Sequence, residues 1–226
     1  MQNALTPTWQ TFFSLDGPGK IVCVGLNYHD HAGESGMPVP AEPLLFGKFP
    51  NTLVGPGEPI VLPPTSEHVD AEAELAVVIG TTAHNVDRAA AMDYVFGFTV
   101  ANDVSARDLQ FGDGQWFRGK GFDTFCPLLP QIVPRDEVRD LHDLHVMQRV
   151  NGTVLQDGST RDLIFDVPTL VAFASAVMTL DPGDLILTGT PPGVGYFRDP
   201  RIALRPGDTV EVEVEGIGKL TNPVVG

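Results

Sequence analysis

The chain has 226 residues, with 29 acidic against 14 basic side chains and a formal net charge of −15, a balance that excludes nucleic acid as a partner, since binding a polyanion relies on a basic footprint. Its two cysteines, Cys23 and Cys126, have no Cys or His at metal-ligand spacing and read as buried thiols of a reducing cytoplasm. No apolar run is long enough to span a membrane and no basic-then-apolar leader opens the chain, so neither membrane insertion nor secretion is expected.

The 24 glycines and 20 prolines are scattered, which favours many short strands over a helical bundle. Residues 1–19 are a lead-in closed by the turn sequence Asp16-Gly17-Pro18-Gly19. A buried strand is expected over 20–26 and a short helix over 28–34, followed by short strands at 44–46 and 59–62 that end abruptly at proline. The run 69–80 reads as one strand, and 88–95 as a helix capped by Asn85 or Asp87 and closed by Gly97. A strand over 98–101 leads into Asn102-Asp103. Strands at 144–150 and 153–155 flank Asn151-Gly152, the favoured pair for a two-residue hairpin. Asp166 and Pro168 open an apolar helix that runs to about residue 180, and a buried strand follows at 185–188. Over 209–215 valine alternates with glutamate, placing Val210, Val212 and Val214 inward and Glu211, Glu213 and Glu215 in solvent. The sum is a β-rich α+β domain.

Chemistry gathers at a few points. In a strand, residues two apart share a face, so Glu72 and Glu74 stand side by side with Asp70 in the same row. Their repulsion is relieved by solvent, by a proton or by a cation. Asp103 closes a strand, where it either projects into a cleft or caps a helix. Three carboxylates suit a hard divalent ion, Mg²⁺ or Mn²⁺, and no cysteine or histidine spacing supports zinc. Lys120 sits between glycines among aromatic residues, either as a surface lysine or as an active-site cation that offsets those acids. His31 and Glu34 are three apart on one helical turn, where the carboxylate can orient the imidazole as a general base. His29 and Asp30 lie beside them, so spacing leaves open which histidine acts.

Taken together, Gly25-Leu26-Asn27-Tyr28 with His31 and Glu34, Glu72-Ala73-Glu74-Leu75-Ala76, Asn102-Asp103-Val104-Ser105-Ala106-Arg107-Asp108, Lys120-Gly121-Phe122-Asp123-Thr124 and Thr188-Gly189-Thr190-Pro191-Pro192-Gly193-Val194 resemble the successive motifs of the fumarylacetoacetate hydrolase family. The resemblance implies a mixed β-sandwich roll over 20–226 as a single catalytic domain, usually a homodimer. It implies Mg²⁺ or Mn²⁺ held by Glu72, Glu74 and Asp103, a lid dyad of His31 and Glu34, Lys120 in the site, and substrate contacts from Gln110 and Thr190. The expected activity is hydrolytic C–C cleavage of an acylpyruvate-like β-diketo acid, a small oxo-acid substrate, releasing pyruvate and a carboxylic acid. Alternatives on the same metal are decarboxylation of oxaloacetate or isomerisation of a hydroxymuconate-type compound. More distant is a non-catalytic binding protein whose acids only staple the fold.

Overall fold

The structure, a computed structural model, describes residues 17–112 and 114–226; most of the expected lead-in, up to Asp16, lies outside them. In chain order the elements are β1 (Ile21–Gly25), α1 (His29–Ser35), β2 (Leu44–Lys48), β3 (Leu53–Val54), β4 (Ile60–Val61), β5 (Val69–Asp70), β6 (Ala73–Ile79), β7 (Val95–Asn102), β8 (Ser105–Ala106), α2 (Arg107–Gly112) and α3 (Phe117–Lys120). Then follow β9 (Cys126–Pro127), β10 (Val133–Pro134), β11 (His145–Val150), β12 (Thr153–Ser159), α4 (Val167–Val177), β13 (Leu185–Leu187), β14 (Thr209–Val214) and β15 (Gly218–Val225). The β-rich α+β expectation therefore holds.

Two sheets pack face to face. The first runs β10-β7-β6-β13-β1-β2 and the second β12-β11-β14-β15-β4. Only β1 and β13 pair in parallel within the first sheet. Between the sheets lies the main core, where Leu75, Val77 and Ile79 of β6 join Val146, Val210, Val212, Val214 and Leu220. The opposite face of β6 presents Ala76 and Val78 to a smaller cluster with Ile21, Cys23, Cys126 and Leu187. Because side chains alternate along a strand, Glu74 continues the Ala76–Val78 row and belongs to that second face. β6 is buried along its whole length, so its acids enter the protein interior. Cys23 and Cys126 are free and buried, and burial pushes the Cys126 thiol up to about 12, which keeps it unreactive.

Local rules account for several elements. Asn151 and Gly152 adopt positive φ of 51° and 79° in the hairpin joining β11 to β12. Asp166 accepts from the Thr169 amide at 3.0 Å and caps α4. Along β14 the three valines are buried, while Arg149 and Lys219 from the neighbouring strands partly cover Glu213 and Glu211 on the outer face.

Three expectations are corrected. The run 69–80 is broken at Ala71 and Glu72, because β5 pairs with β8 whereas β6 pairs with β7. The exchange of partners leaves Asp70 outside the set of Glu72, Glu74 and Asp103 whose carboxylate oxygens converge. It also sets Glu72 beside Asp103, whose amide donates to the Glu72 carbonyl at 2.9 Å. Residues Arg88–Tyr94 form a 3₁₀ helix rather than an α-helix: Asp87 makes no side-chain cap, and seven residues sit near the nucleation limit. Gly97 lies inside β7, where a Cβ would collide with the Val133 carbonyl of β10, so it serves close strand approach rather than a helix stop. The helix expected to reach residue 180 ends at Val177, because Leu180 exchanges backbone hydrogen bonds with Ala83.

Candidate active site

The start of β6 and the end of β7 form the floor of the site. Glu72, Glu74 and Asp103 are buried, and each offers a carboxylate oxygen within 4.8 Å of the others. Asp103 caps no helix, since α2 begins only at Arg107. Lys120, at the end of α3, points into this floor, with Nζ 2.6 Å from Glu72 Oε2 and 2.7 Å from Asp103 Oδ2. Of its two sequence readings, the buried cation in the site is the one observed.

Two more cations complete the floor, and sequence reasoning gave neither a role. The Arg107 guanidinium donates to Asp70 Oδ1 at 2.7 Å, Glu72 Oε1 at 2.5 Å and Gln110 Oε1 at 3.0 Å. Lys48, buried at the end of β2, donates to the carbonyls of Val104, Lys120 and Phe125 at 3.0, 2.6 and 2.8 Å, with Asp103 Oδ1 at 2.7 Å. A lysine closing the apolar run Leu44-Leu45-Phe46 was the one signal for it.

Four carboxylates thus face three cations, and the shortfall is local. Among the described residues Glu74 has no cation at hydrogen-bond distance, and its Oε2 accepts from the Gly189 amide at 2.7 Å. Burial, then the Asp103 and Glu72 carboxylates, push its carboxyl well above the usual range. Burial also opposes ionisation of Glu72, but Arg107 and Lys120 outweigh it and hold that carboxyl below its usual range. Burial likewise works against the charge on Lys120, and Asp103 and Glu72 overcome it and raise the pKa. Since the Lys48 protons go to three carbonyls, Asp103 Oδ1 makes an ionic contact but no hydrogen bond. An under-compensated Glu74 and an oxygen of Asp103 with a free lone pair are the donors a hard divalent cation takes, so Glu72, Glu74 and Asp103 fit Mg²⁺ or Mn²⁺.

Over this floor lies α1. His31 is buried and lines the cavity, whereas His29 and Asp30 are exposed, so the structure separates the two histidines that spacing could not. His31 Nδ1 lies 3.8 Å from Glu34 Oε2, beyond hydrogen-bond range, and has no hydrogen-bond partner among the described residues. Glu34 Oε2 instead accepts from the Gly193 amide at 2.7 Å. The expected dyad is brought together but not joined. Phe197 packs its edge against the His31 ring, with centroids 5.9 Å apart.

Gln110 and Thr190 also line the cavity, although Gln110 Oε1 and Thr190 Oγ1 are engaged. Thr190 Oγ1 donates to the Ala73 carbonyl at 2.9 Å and accepts from Gln156 Nε2 at 2.7 Å. Gln156 was not singled out from the sequence; it also accepts from the Ala73 amide at 2.9 Å, fixing the first residue of β6. Trp116 and Phe46 form a wall, their rings 5.3 Å apart, and a Cβ on Gly25 would collide with the Trp116 indole. The cavity so enclosed measures about 30 Å³, room for roughly two water molecules.

Known proteins share this arrangement of chain. The mitochondrial oxaloacetate tautomerase FAHD2A of Homo sapiens is 52% identical over 210 residues, covering 92% of this chain and 67% of that protein. A solved structure of 5-carboxymethyl-2-hydroxymuconate delta-isomerase from Mycobacterium smegmatis superposes with a TM-score of 0.82 at 48% identity, over 92% of this chain and 79% of that one. A fumarylacetoacetate hydrolase from Exiguobacterium antarcticum gives 0.86 at 44% identity, over 93% and 76%. Residues 20–225 match the family described as "Fumarylacetoacetate (FAA) hydrolase C-terminal", and the chain belongs to the fumarylacetoacetate hydrolase family.

Proposed function

We propose that this chain moves a proton at the carbon beside the 2-oxo group of a small dicarboxylic oxo-acid, interconverting its keto and enol forms, with oxaloacetate as the type of substrate. The carrying observation is that His31, with Nδ1 unengaged, and Lys120 line one small buried cavity. A divalent ion on Glu72, Glu74 and Asp103 would supply Lewis-acid charge that lowers the cost of negative charge on the oxo-acid oxygens. The Lys120 ammonium and Arg107 guanidinium add fixed positive charge where an enolate develops, without reorganisation. His31 takes the carbon-bound proton and returns it to the other end of the enolate. Glu34, 3.8 Å away, favours the imidazolium that forms in between. The rings of Phe46, Trp116 and Phe197 line the cavity and limit the access of bulk water, which favours proton return over addition of water. Two of the three relatives, named a tautomerase and an isomerase, support the same reading, and the third is named a hydrolase.

Hydrolytic cleavage of an acylpyruvate is the second reading, favoured by one observation: closing the His31–Glu34 gap would complete a water-activating dyad. One experiment separates them. The protein with Mg²⁺ is given enol oxaloacetate in one cell and acetylpyruvate in another, each beside an EDTA control. The proposal expects EDTA-sensitive decay of enol absorbance with no carbon dioxide and no acetate. Acetate and pyruvate from the second cell would establish hydrolysis, and carbon dioxide above the metal-only background would establish decarboxylation.

A homodimer and a reducing compartment belong to the same proposal. Leu44, Phe49 and Phe117 are exposed around the edge strand β2, with the two phenylalanine rings 5.1 Å apart, and light scattering tests their pairing with a second copy. The free cysteines support the compartment. No helix among the described residues is long and apolar enough to cross a membrane.

A further inference from the structure

Asp70 is a buried acid that takes no part in the metal set. Both its oxygens are engaged: Oδ1 accepts from Arg107 Nε at 2.7 Å, and Oδ2 accepts from the Tyr196 amide at 2.8 Å. Each bond reaches a different wall of the site.

On one side, the guanidinium is a rigid fork. With Nε anchored on Asp70, its Nη2 is aimed at Glu72 Oε1, 2.5 Å away, and its Nη1 at Gln110 Oε1, 3.0 Å away. Freed from Asp70, the same fork could turn both outer nitrogens onto Glu72 and compete for the oxygens that a metal needs. On the other side, the Tyr196 amide belongs to the 3₁₀ turn Gly195–Phe197. That turn presses on Asp70: a Cβ at Gly195 would collide with the Ile202 carbonyl and would lie 3.3 Å from the Asp70 Cβ. The next residue, Phe197, packs against His31. One carboxylate therefore joins the charged floor to the aromatic wall that seats the imidazole.

We infer that Asp70 is a positioning residue that couples the seating of α1, and so of His31, to the orientation of Arg107 at Glu72. This rests on the proton-transfer reading for its kinetic consequence only; the coupling is a property of the fold. The coupling can be cut from both ends. Asp70→Asn leaves an oxygen for Arg107 but turns an amide against the Tyr196 N–H. Tyr196→Pro deletes the same N–H and leaves Asp70 intact, but it also removes the ring that packs on Phe111 and Phe197, so it is read against Tyr196→Ala, which removes the ring and keeps the N–H.

The test uses the full chain loaded with Mg²⁺ and measures amide hydrogen exchange beside kcat and KM on oxaloacetate. In either variant, exchange over 29–35 rises at least about tenfold while 73–79 stays protected, as local opening requires. kcat falls roughly 10- to 100-fold with KM within about threefold, the mark of lost alignment. With the loss of the ring in Tyr196→Ala taken as reference, the double variant is no slower than the slower single one, because the bond between Asp70 and the Tyr196 amide is lost in both. Exchange that stays unchanged over 29–35, or that rises equally over 73–79, overturns the inference, as do losses that multiply in the double variant. If the unaltered protein turns over no oxo-acid, the proposed function falls, while the exchange comparison still decides the role of Asp70. Should Asp70→Asn fail to fold, Tyr196→Pro carries the same comparison alone.

Discussion

Replacing Lys48 by methionine keeps the length of the side chain and removes its charge. The ammonium it deletes has no solvent exposure and lies 2.7 Å from Asp103 Oδ1, which has none either. At an effective dielectric near 20, that separation corresponds to about 6 kcal/mol of attraction, much of it offset by the cost of taking both charges out of water. Deleting one partner recovers none of that cost for the other: among the described residues Asp103 keeps only Lys120, the carbonyls of Val104 and Lys120 lose the ammonium donor, and that of Phe125 keeps the Val104 amide alone. The expected loss is about 3–5 kcal/mol, or roughly 6–20 °C in Tm for a chain of this size. Calorimetric unfolding in EDTA should show the whole loss. With Mg²⁺ part of it should return, because the site then carries one more uncompensated negative charge and binds the ion more tightly than the unaltered protein does. A loss in EDTA below about 1 kcal/mol would refute the reasoning, placing Lys48 among ordinary surface pairs. Weaker Mg²⁺ binding would refute its second half, showing that Lys48 shapes the site rather than competing with the ion.

Three further outcomes are expected. Glu72→Gln, Glu74→Gln and Asp103→Asn should each weaken Mg²⁺ binding in titration calorimetry, and unchanged affinity in all three would remove the metal assignment. The Glu74 carboxyl is raised from an ordinary value of 4.5, so its contribution to the stability of the metal-free protein is fully present below that pH and is lost as pH rises through the folded value. Glu72, whose carboxyl is lowered, contributes in the opposite sense, fully above 4.5 and progressively less as pH falls from there through the folded value. Mg²⁺ binding should consequently release a proton from Glu74 and tighten as pH rises, measurable by calorimetry in buffers of different ionisation enthalpy; Glu74→Gln should abolish the release. His31→Ala should slow turnover about 10²- to 10⁴-fold, and rates equal to those of the unaltered enzyme would take the base role from His31.

What the sequence made legible is what neighbouring residues decide. Asn151-Gly152, the Asp166 cap and the valines of β14 obey rules spanning a few positions, and they stand where expected. The three acids were visible because charge in an apolar run is costly and has to be answered. The answer itself was not visible. Lys48, Arg107 and Asp70 meet their partners across segments joined only in space, and no spacing along the chain encodes the pairing. The different burial of His29 and His31 was equally non-local, since it depends on which side of α1 meets Phe197. The break after Asp70 escaped notice because an unbroken strand and two strands with different partners have the same alternation of side chains.

The strand order of the first sheet also sets a schedule for assembly. β13, from residues Leu185–Leu187, is inserted between β6 and β1. The β1–β2 ribbon therefore joins the β10–β7–β6 ribbon through β13 only after residue 187 has left the ribosome. His31 and Lys48 travel with the first ribbon, the three acids with the second. The emerging chain holds its reactive groups apart, and the site comes into existence only when one late, three-residue strand docks and closes the sheet.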